Sequence, residues 1–236
     1  MISATTFATR YTSLWQSLTP NSEQFVRRLN LNLERFRNPL DGGSAPSRRG
    51  FLNEIAFQMA RRKHEYRDLV IDQPTIMETA EVVKQAFLRR GNAVIDKFDD
   101  PSALEYDEIL RLTNSIANFC NQHAIREFPV KFGPHFLGCG IVDSSEGDVL
   151  MGECLYEFKA GDRSFRTSDL RQLLTYCALN FASHQFKITS IGAVNPRHGT
   201  FFALDIETVA FEMSNKSPIE LLSEIVYFVS GGTPSR

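Results

Sequence analysis

Apolar residues recur at helical spacing through most of the first hundred residues, over segments near 7–18, 22–37, 50–68 and 75–97. The polar run Asn38-Pro-Leu-Asp-Gly-Gly-Ser-Ala-Pro-Ser47 interrupts them, and Asp99-Asp-Pro101 is a second break. Ser102 then caps an expected helix reaching about Gln122. Beyond it the pattern shortens. Strands are expected near 127–132, 136–143 and 149–159, a helix over 168–182, strands near 187–195 and 201–207, and a helix over 217–230 ending at Gly231-Gly232. From residue 101 onward this is an αβββαβ order with a further strand and helix. The chain therefore reads as an α/β protein with a helical N-terminal region, residues 1–100, ahead of an α/β domain, residues 101–236.

Composition changes this picture little. A net charge of −2 does not advertise a polyanion binder. Yet residues 1–67 hold ten arginines and Lys63 against few acids, a block able to meet phosphates or an acidic partner protein. The start Met1-Ile-Ser-Ala-Thr-Thr lacks a signal-peptide pattern, and no apolar run approaches the roughly 20 residues of a membrane span. A cytoplasmic protein is expected. Cys120, Cys139, Cys154 and Cys177 are scattered and read as reduced core residues, and the five histidines lack metal-ligand spacing. No Gly-x-x-x-x-Gly-Lys loop suggests nucleotide triphosphate hydrolysis.

The chemistry concentrates in residues 138–159. An apolar run ends in Asp143, the polar stretch Ser-Ser-Glu-Gly-Asp148 follows, and a second apolar run ends in Glu157-Phe-Lys159. Alternation along a strand turns Glu157 and Lys159 to one face and Phe158 to the other. Two carboxylates hold a divalent cation together with water and phosphate oxygens, and a neighbouring lysine can hold the attacking water and offset developing charge. A bare Glu-x-Lys is more often two polar residues on a solvated strand face; the flanking pieces give it weight. If the runs pair across residues 144–148, Asp143 lies at the turn end and Glu157 at the far end. They share a site only if the hairpin twists or bulges, or if its loop is longer. Asp148 is the alternative first carboxylate. Asp143 is preferred because it ends an apolar run, whereas Asp148 sits among turn formers.

Gly140-Ile-Val-Asp143, Glu157-Phe-Lys159 and Gln172-Leu-Leu-Thr-Tyr176, in this order, resemble the PD-(D/E)xK nuclease superfamily and its RecB-like branch. Val142 stands where the family name has its Pro. The resemblance implies a restriction-endonuclease-like αβββαβ core and a Mg²⁺- or Mn²⁺-dependent deoxyribonuclease. Asp143 and Glu157 would be its metal ligands, Lys159 its third catalytic residue, and Gln172 and Tyr176 its nucleic-acid contacts. It further implies DNA as substrate and a helicase, ATPase or targeting subunit as partner, in repair or antiviral defence. The alternative is an inactive nuclease fold serving as a scaffold subunit. The clustered cysteines of iron–sulfur members are missing.

Four further features bear on the site. Gln172 and Tyr176, four apart, share one helix face beside Asp169. Arg163, Arg166 and Arg171 offer phosphate contacts or a solvated basic edge. Asn195-Pro-Arg197-His198-Gly199 reads as a turn between paired strands, with phosphate contact as the lesser alternative. An acid on the first core helix is met by Glu108 in position and by Glu54 in local sequence, and the sequence leaves both open.

Overall fold

The computed structural model describes residues 1–41, 43–89, 98–124 and 128–231. It is a mixed α/β structure with nine helices among the described residues and a mixed six-stranded sheet. The sheet order is β1 (Glu34–Arg35), β8 (Thr200–Asp205), β7 (Ser190–Asn195), β6 (Cys154–Phe158), β5 (Val149–Met151), β2 (Val130–Phe132). All neighbours are antiparallel except β6 and β7, which run parallel and are joined by the crossover helix α7 (Thr167–Ser183). A two-stranded ribbon, β3 (His135–Phe136) with β4 (Ser145–Glu146), stands apart.

Strand alternation sorts the core into two layers. Leu150, Leu155, Ile191, Ala193 and Phe202 face α7, together with α1 (Ala4–Arg10), α2 (Thr12–Leu18), α3 (Ser22–Leu31), α8 (Ile206–Ser214) and α9 (Pro218–Val229). Val149, Met151, Tyr156, Val194 and Phe201 face α4 (Arg49–Glu65), α5 (Gln73–Arg89) and α6 (Ala103–His123). The first hundred residues thus supply helices to both faces and β1 to the sheet edge. The expected boundary at residue 100 does not separate two cores.

Ser102 caps α6 as expected, in a full capping box with Glu105. Other elements depart from the sequence reading. The 7–18 helix breaks at Tyr11 into α1 and α2, and the third helix stops at Leu31 so that β1 can pair with β8. Residues 90–97 of the fourth expected helix and residue 127 of the first expected strand lie outside the described residues.

The departure that matters concerns the hairpin. Residues 138–143 form no strand; Cys139 and Val142 close a tight turn, and Val142 bridges to Ile2. Residues 149–159, read as one strand, are two. They fold at Gly152-Glu153, a two-residue turn whose first position has φ +59°, a conformation glycine adopts without strain. Met151 pairs with Cys154, Leu150 with Leu155 and Val149 with Tyr156.

Candidate active site

That register decides which acid meets Glu157. One step beyond the Val149–Tyr156 pair, Asp148 falls opposite Glu157, and its Oδ2 accepts the Phe158 backbone N–H at 2.6 Å. Asp148 is therefore the first carboxylate of the site. Asp143 is not brought to it: it is exposed, its Oδ1 accepts from Ser144 N–H at 2.9 Å, and it does not line the cleft. Asp148 looked like turn chemistry because the Ser-Ser-Glu-Gly run precedes it. The overlooked signal was Gly152-Glu153 inside the apolar run, a hairpin turn that puts positions summing to 305 opposite each other.

Glu157 and Lys159 do share a face, as alternation requires, on the side of α7. Lys159 Nζ donates to Glu157 Oε1 at 2.7 Å and to Gln172 Oε1 at 3.2 Å, and Gln172 Nε2 donates to the Tyr176 hydroxyl at 2.7 Å. Tyr176 is buried and stacks on Phe136, ring centroids 5.4 Å apart. Gln172 and Tyr176 thus form a relay behind the lysine. Glu157 is 3% exposed, and its Oε2 is buried without a hydrogen-bond partner. An orphaned, buried carboxylate oxygen is costly unless a cation or proton meets it.

The charges reinforce one another. Burial, and then the nearby Glu157 carboxylate, push Asp148 well above the ordinary carboxylate range. Burial raises Glu157 as well, against the opposing pull of Lys159. For Lys159, burial works downward, but Glu157 and Asp148 outweigh it and hold the ammonium above its usual value.

These groups open into a cleft of about 1010 Å³. Its far wall is α4, which brings Asn53, Glu54, Phe57 and Gln58; Glu54 accepts from Gln58 Nε2 at 2.9 Å and adds to the field that raises Asp148. Of the two helix acids left open by the sequence, Glu54 is the one at the cleft. Glu108 is sealed on the other side of Asn53, where its Oε1 meets Arg197 Nη2 at 2.6 Å and Ser44 Oγ at 2.8 Å, and its Oε2 meets Ser44 N–H at 2.8 Å. Residues 196–199 are the expected turn between β7 and β8, and Arg197 is buried in it, bonded also to Ala160 O and Asn53 Oδ1.

The arginines expected near the helix start separate. Arg163 forms a two-pronged ion pair with Asp169 at 2.7 and 2.8 Å, at the cleft rim. Asp169 also accepts Arg166 N–H, acting as the third-residue partner of the helix start. Arg166 is exposed, and Arg171 is buried with its guanidinium 6.0 Å over the Trp15 ring. The N-terminal basic block is also dispersed: Arg28, Arg48, Arg49, Arg61 and Arg62 are ion-paired with Glu212, Glu105, Asp162, Glu65 and Glu78. Four cysteines are free, and burial pushes the thiols of Cys120, Cys154 and Cys177 up to about 12.

Among the described residues no three His, Cys, Asp or Glu side chains are grouped closely enough to make a protein-only metal cage. The donor set is two opposed carboxylates, one with a free buried oxygen. That fits Mg²⁺, which keeps several waters and takes one or two carboxylates, better than Zn²⁺ with its full set of protein ligands. No described helix is long and apolar enough to cross a membrane. A scan against protein-family models finds no match, and a search of curated proteins finds no significant relative.

Proposed function

We propose that this chain is a Mg²⁺- or Mn²⁺-dependent deoxyribonuclease of the PD-(D/E)xK kind, with Asp148 and Glu157 as the metal-holding carboxylates and Lys159 beside them. The observation that carries the reading is the opposition of Asp148 and Glu157 across the β5–β6 hairpin, with Glu157 Oε2 left unpartnered. The order α6, β2, β5, β6, α7, β7 supports a restriction-endonuclease-like αβββαβ core, with β8 and β1 extending the sheet and the β3–β4 ribbon inserted.

When bound, the cation supplies Lewis-acid polarisation of the phosphate and a more acidic water. Asp148 and Glu157 would hold it as carboxylates, releasing any protons they carry to solvent, since its charge would offset the burial and repulsion that raise them. Lys159, kept protonated between Glu157 and Gln172, aims its remaining N–H at the cleft, where it holds the water for attack and offsets charge on the phosphate oxygens. Gln172 fixes that ammonium, and Tyr176 fixes Gln172. Glu54, from the facing helix, would accept a hydrogen bond or a proton from the attacking water on the open side.

The test is incubation of the purified chain with linear, circular and single-stranded DNA in Mg²⁺, Mn²⁺, Ca²⁺ or chelator, with Glu157→Gln alongside. Cleavage is expected in Mg²⁺ or Mn²⁺ and absent in Ca²⁺, in chelator and in the variant. Cleavage by Glu157→Gln at the wild-type rate overturns the assignment. A protein that binds DNA and metal without cutting is the scaffold alternative.

A further inference from the structure

A second concavity lies on the outer side of α6. It has a volume of about 360 Å³ and is lined by Phe36, Arg37, Arg111, Asn114, Asn118 and Gln122. The four α6 residues fall at i, i+3, i+7 and i+11, one stripe along the helix. Across from them, the β1 tail is clamped to the β7–β8 turn. Phe36 N–H donates to Gly199 O at 3.0 Å and Leu40 N–H to Arg197 O at 2.8 Å. Gly199, at φ +67°, is essential to that approach, because a Cβ there would lie 2.2 Å from Arg37 O. The backbone at Arg37 is thereby fixed, and its side chain shares the concavity with Arg111.

Three of the groove's polar groups are idle. Among the described residues, the carboxamides of Asn114, Asn118 and Gln122 have no hydrogen-bond partner and are exposed. Among the described residues the Arg37 guanidinium donates to Asn38 O and has no carboxylate partner. Arg111 has one acid, Asp107, at 3.4 Å. Burial and then Arg111 itself depress Arg37, and burial, Arg197 and Arg35 depress His198 on the same turn. Arg37 and Arg111, with Arg35 beside the same turn, make a local positive field in a chain whose net charge is −2.

We propose that this groove is a second contact site for single-stranded DNA, gripping the backbone of a strand that leaves the cleft. The claim rests on the nuclease reading for its direction, since the same turn serves both places: Pro196 lines the cleft and Gly199 carries the groove wall. Arg37, with no carboxylate among its partners, and Arg111, with one exposed acid, suit phosphates; free carboxamides suit phosphate oxygens or base edges, and Phe36 gives an apolar wall for a sugar or base. A single strand is favoured over a duplex because the groove is narrow and concave. Its volume is at the low end of the roughly 300–1,000 Å³ usual for small-ligand sites, so it takes one unit of an opened chain.

The test is anisotropy of labelled oligothymidylates from 4 to 20 nucleotides in chelator, across a salt series, with wild type, Arg37→Ala/Arg111→Ala and Arg37→Lys/Arg111→Lys. Long single strands should bind the alanine variant about tenfold more weakly, and the slope of log K against log salt should fall by about 1.4, at roughly 0.7 per phosphate contact on a single strand. The shortest oligonucleotides, Mg²⁺-dependent cleavage of them, and the lysine variant's salt slope should match wild type. Unchanged affinity and slope for long strands overturn the groove alone, because cleavage by wild type, and its loss in Glu157→Gln, is read separately. An equal loss on duplex DNA, or displacement of DNA by polyglutamate as readily as by oligonucleotide, also overturns it. A wild type that cleaves DNA but binds no long single strand overturns the groove alone.

Discussion

Two acid–base clusters lie within this fold, separated by little more than Asn53 and the Ala160 backbone, and they differ in how their carboxylates are met. At Glu108–Arg197 both carboxylate oxygens are satisfied, and both side chains are at most 3% exposed. Burial works to raise Glu108, but the bonds from Ser44 and Arg197 outweigh it and hold the carboxyl below its ordinary range. At Asp148–Glu157–Lys159 there are two acids for one base, one oxygen is orphaned, and both carboxyls stand above their ordinary range. A paired, sealed cluster ties elements together; an underpaired one opening on a cleft stores unfavourable charge that a ligand can relieve.

The contrast breaks first at the cleft. Glu157→Gln and Asp148→Asn should each lower cleavage by about 10³-fold, the upper end of losing one electrostatic group in a reaction centre. The midpoint of thermal unfolding should stay within a few degrees or rise, because each removes a carboxylate that the fold disfavours in charged form. Cleavage kinetics beside calorimetry check this, and a large loss of stability would make the cluster structural.

The sealed cluster should behave the other way. Arg197→Met leaves Glu108 charged and buried, which costs about 3–5 kcal/mol and on the order of 10 °C in midpoint at this chain length. Glu108→Gln/Arg197→Met should recover part of that. Denaturant melts of the three variants measure the coupling, and simple additivity would contradict the ion pair.

Acidity separates the two more finely. Asp148 and Glu157 titrate higher folded than unfolded, so their contribution to stability is fully present below the ordinary carboxylate range and is lost as pH rises through their folded values. Glu108 runs opposite: its contribution is present above 4.5 and is lost as pH falls through its depressed value. Since a cation must displace the cleft protons, the midpoint rise given by 10 mM Mg²⁺, by about 1 °C or more, should grow between pH 5.5 and pH 8. It should vanish in Asp148→Asn. A Mg²⁺ shift that is flat with pH would place the ion elsewhere.

Much of this was legible in the sequence, in proportion to how local the signal was. Ser102 with Glu105 declares the α6 start, and Glu157, Lys159, Gln172 and Tyr176 take their relative places from strand and helix periodicity alone. What failed was non-local or fell inside an apolar run. The β1–β8 pairing joins Glu34 to Phe201, a contact no window spans. The turn at Gly152 lies between residues buried on both sides, so hydrophobicity did not mark it, and the register of the site moved with it. Gln172 and Tyr176 line the cleft as the helix spacing implies, and the bonds from Gln172 to Lys159 and to Tyr176 are what the sequence does not show. Gln172→Ala should accordingly cost about 10- to 100-fold in turnover with little change in DNA affinity, as loss of an orienting partner does. Tyr176→Phe, which removes one hydroxyl, should cost about fivefold.

The smallest expected effect is the sharpest test of register. Asp143 and Asp148 differ by five residues, and the sequence alone favoured the former. In the fold, Asp143 Oδ1 serves only its neighbour Ser144, and the backbone N–H that ties this segment to Ile2 O survives any side-chain change. Asp143→Ala should therefore leave cleavage within twofold of wild type and cost no more than about 0.5 kcal/mol, the usual range of a surface substitution. The hairpin register ties Asp148 to Glu157 through the Phe158 N–H, so no small shift of the ribbon exchanges the two acids. Measured side by side, an inactive Asp143→Ala with an active Asp148→Asn would mean that β5 pairs with β6 in another register. Such a slip would turn Val149 and Met151 out of their layer, at a cost of several kcal/mol.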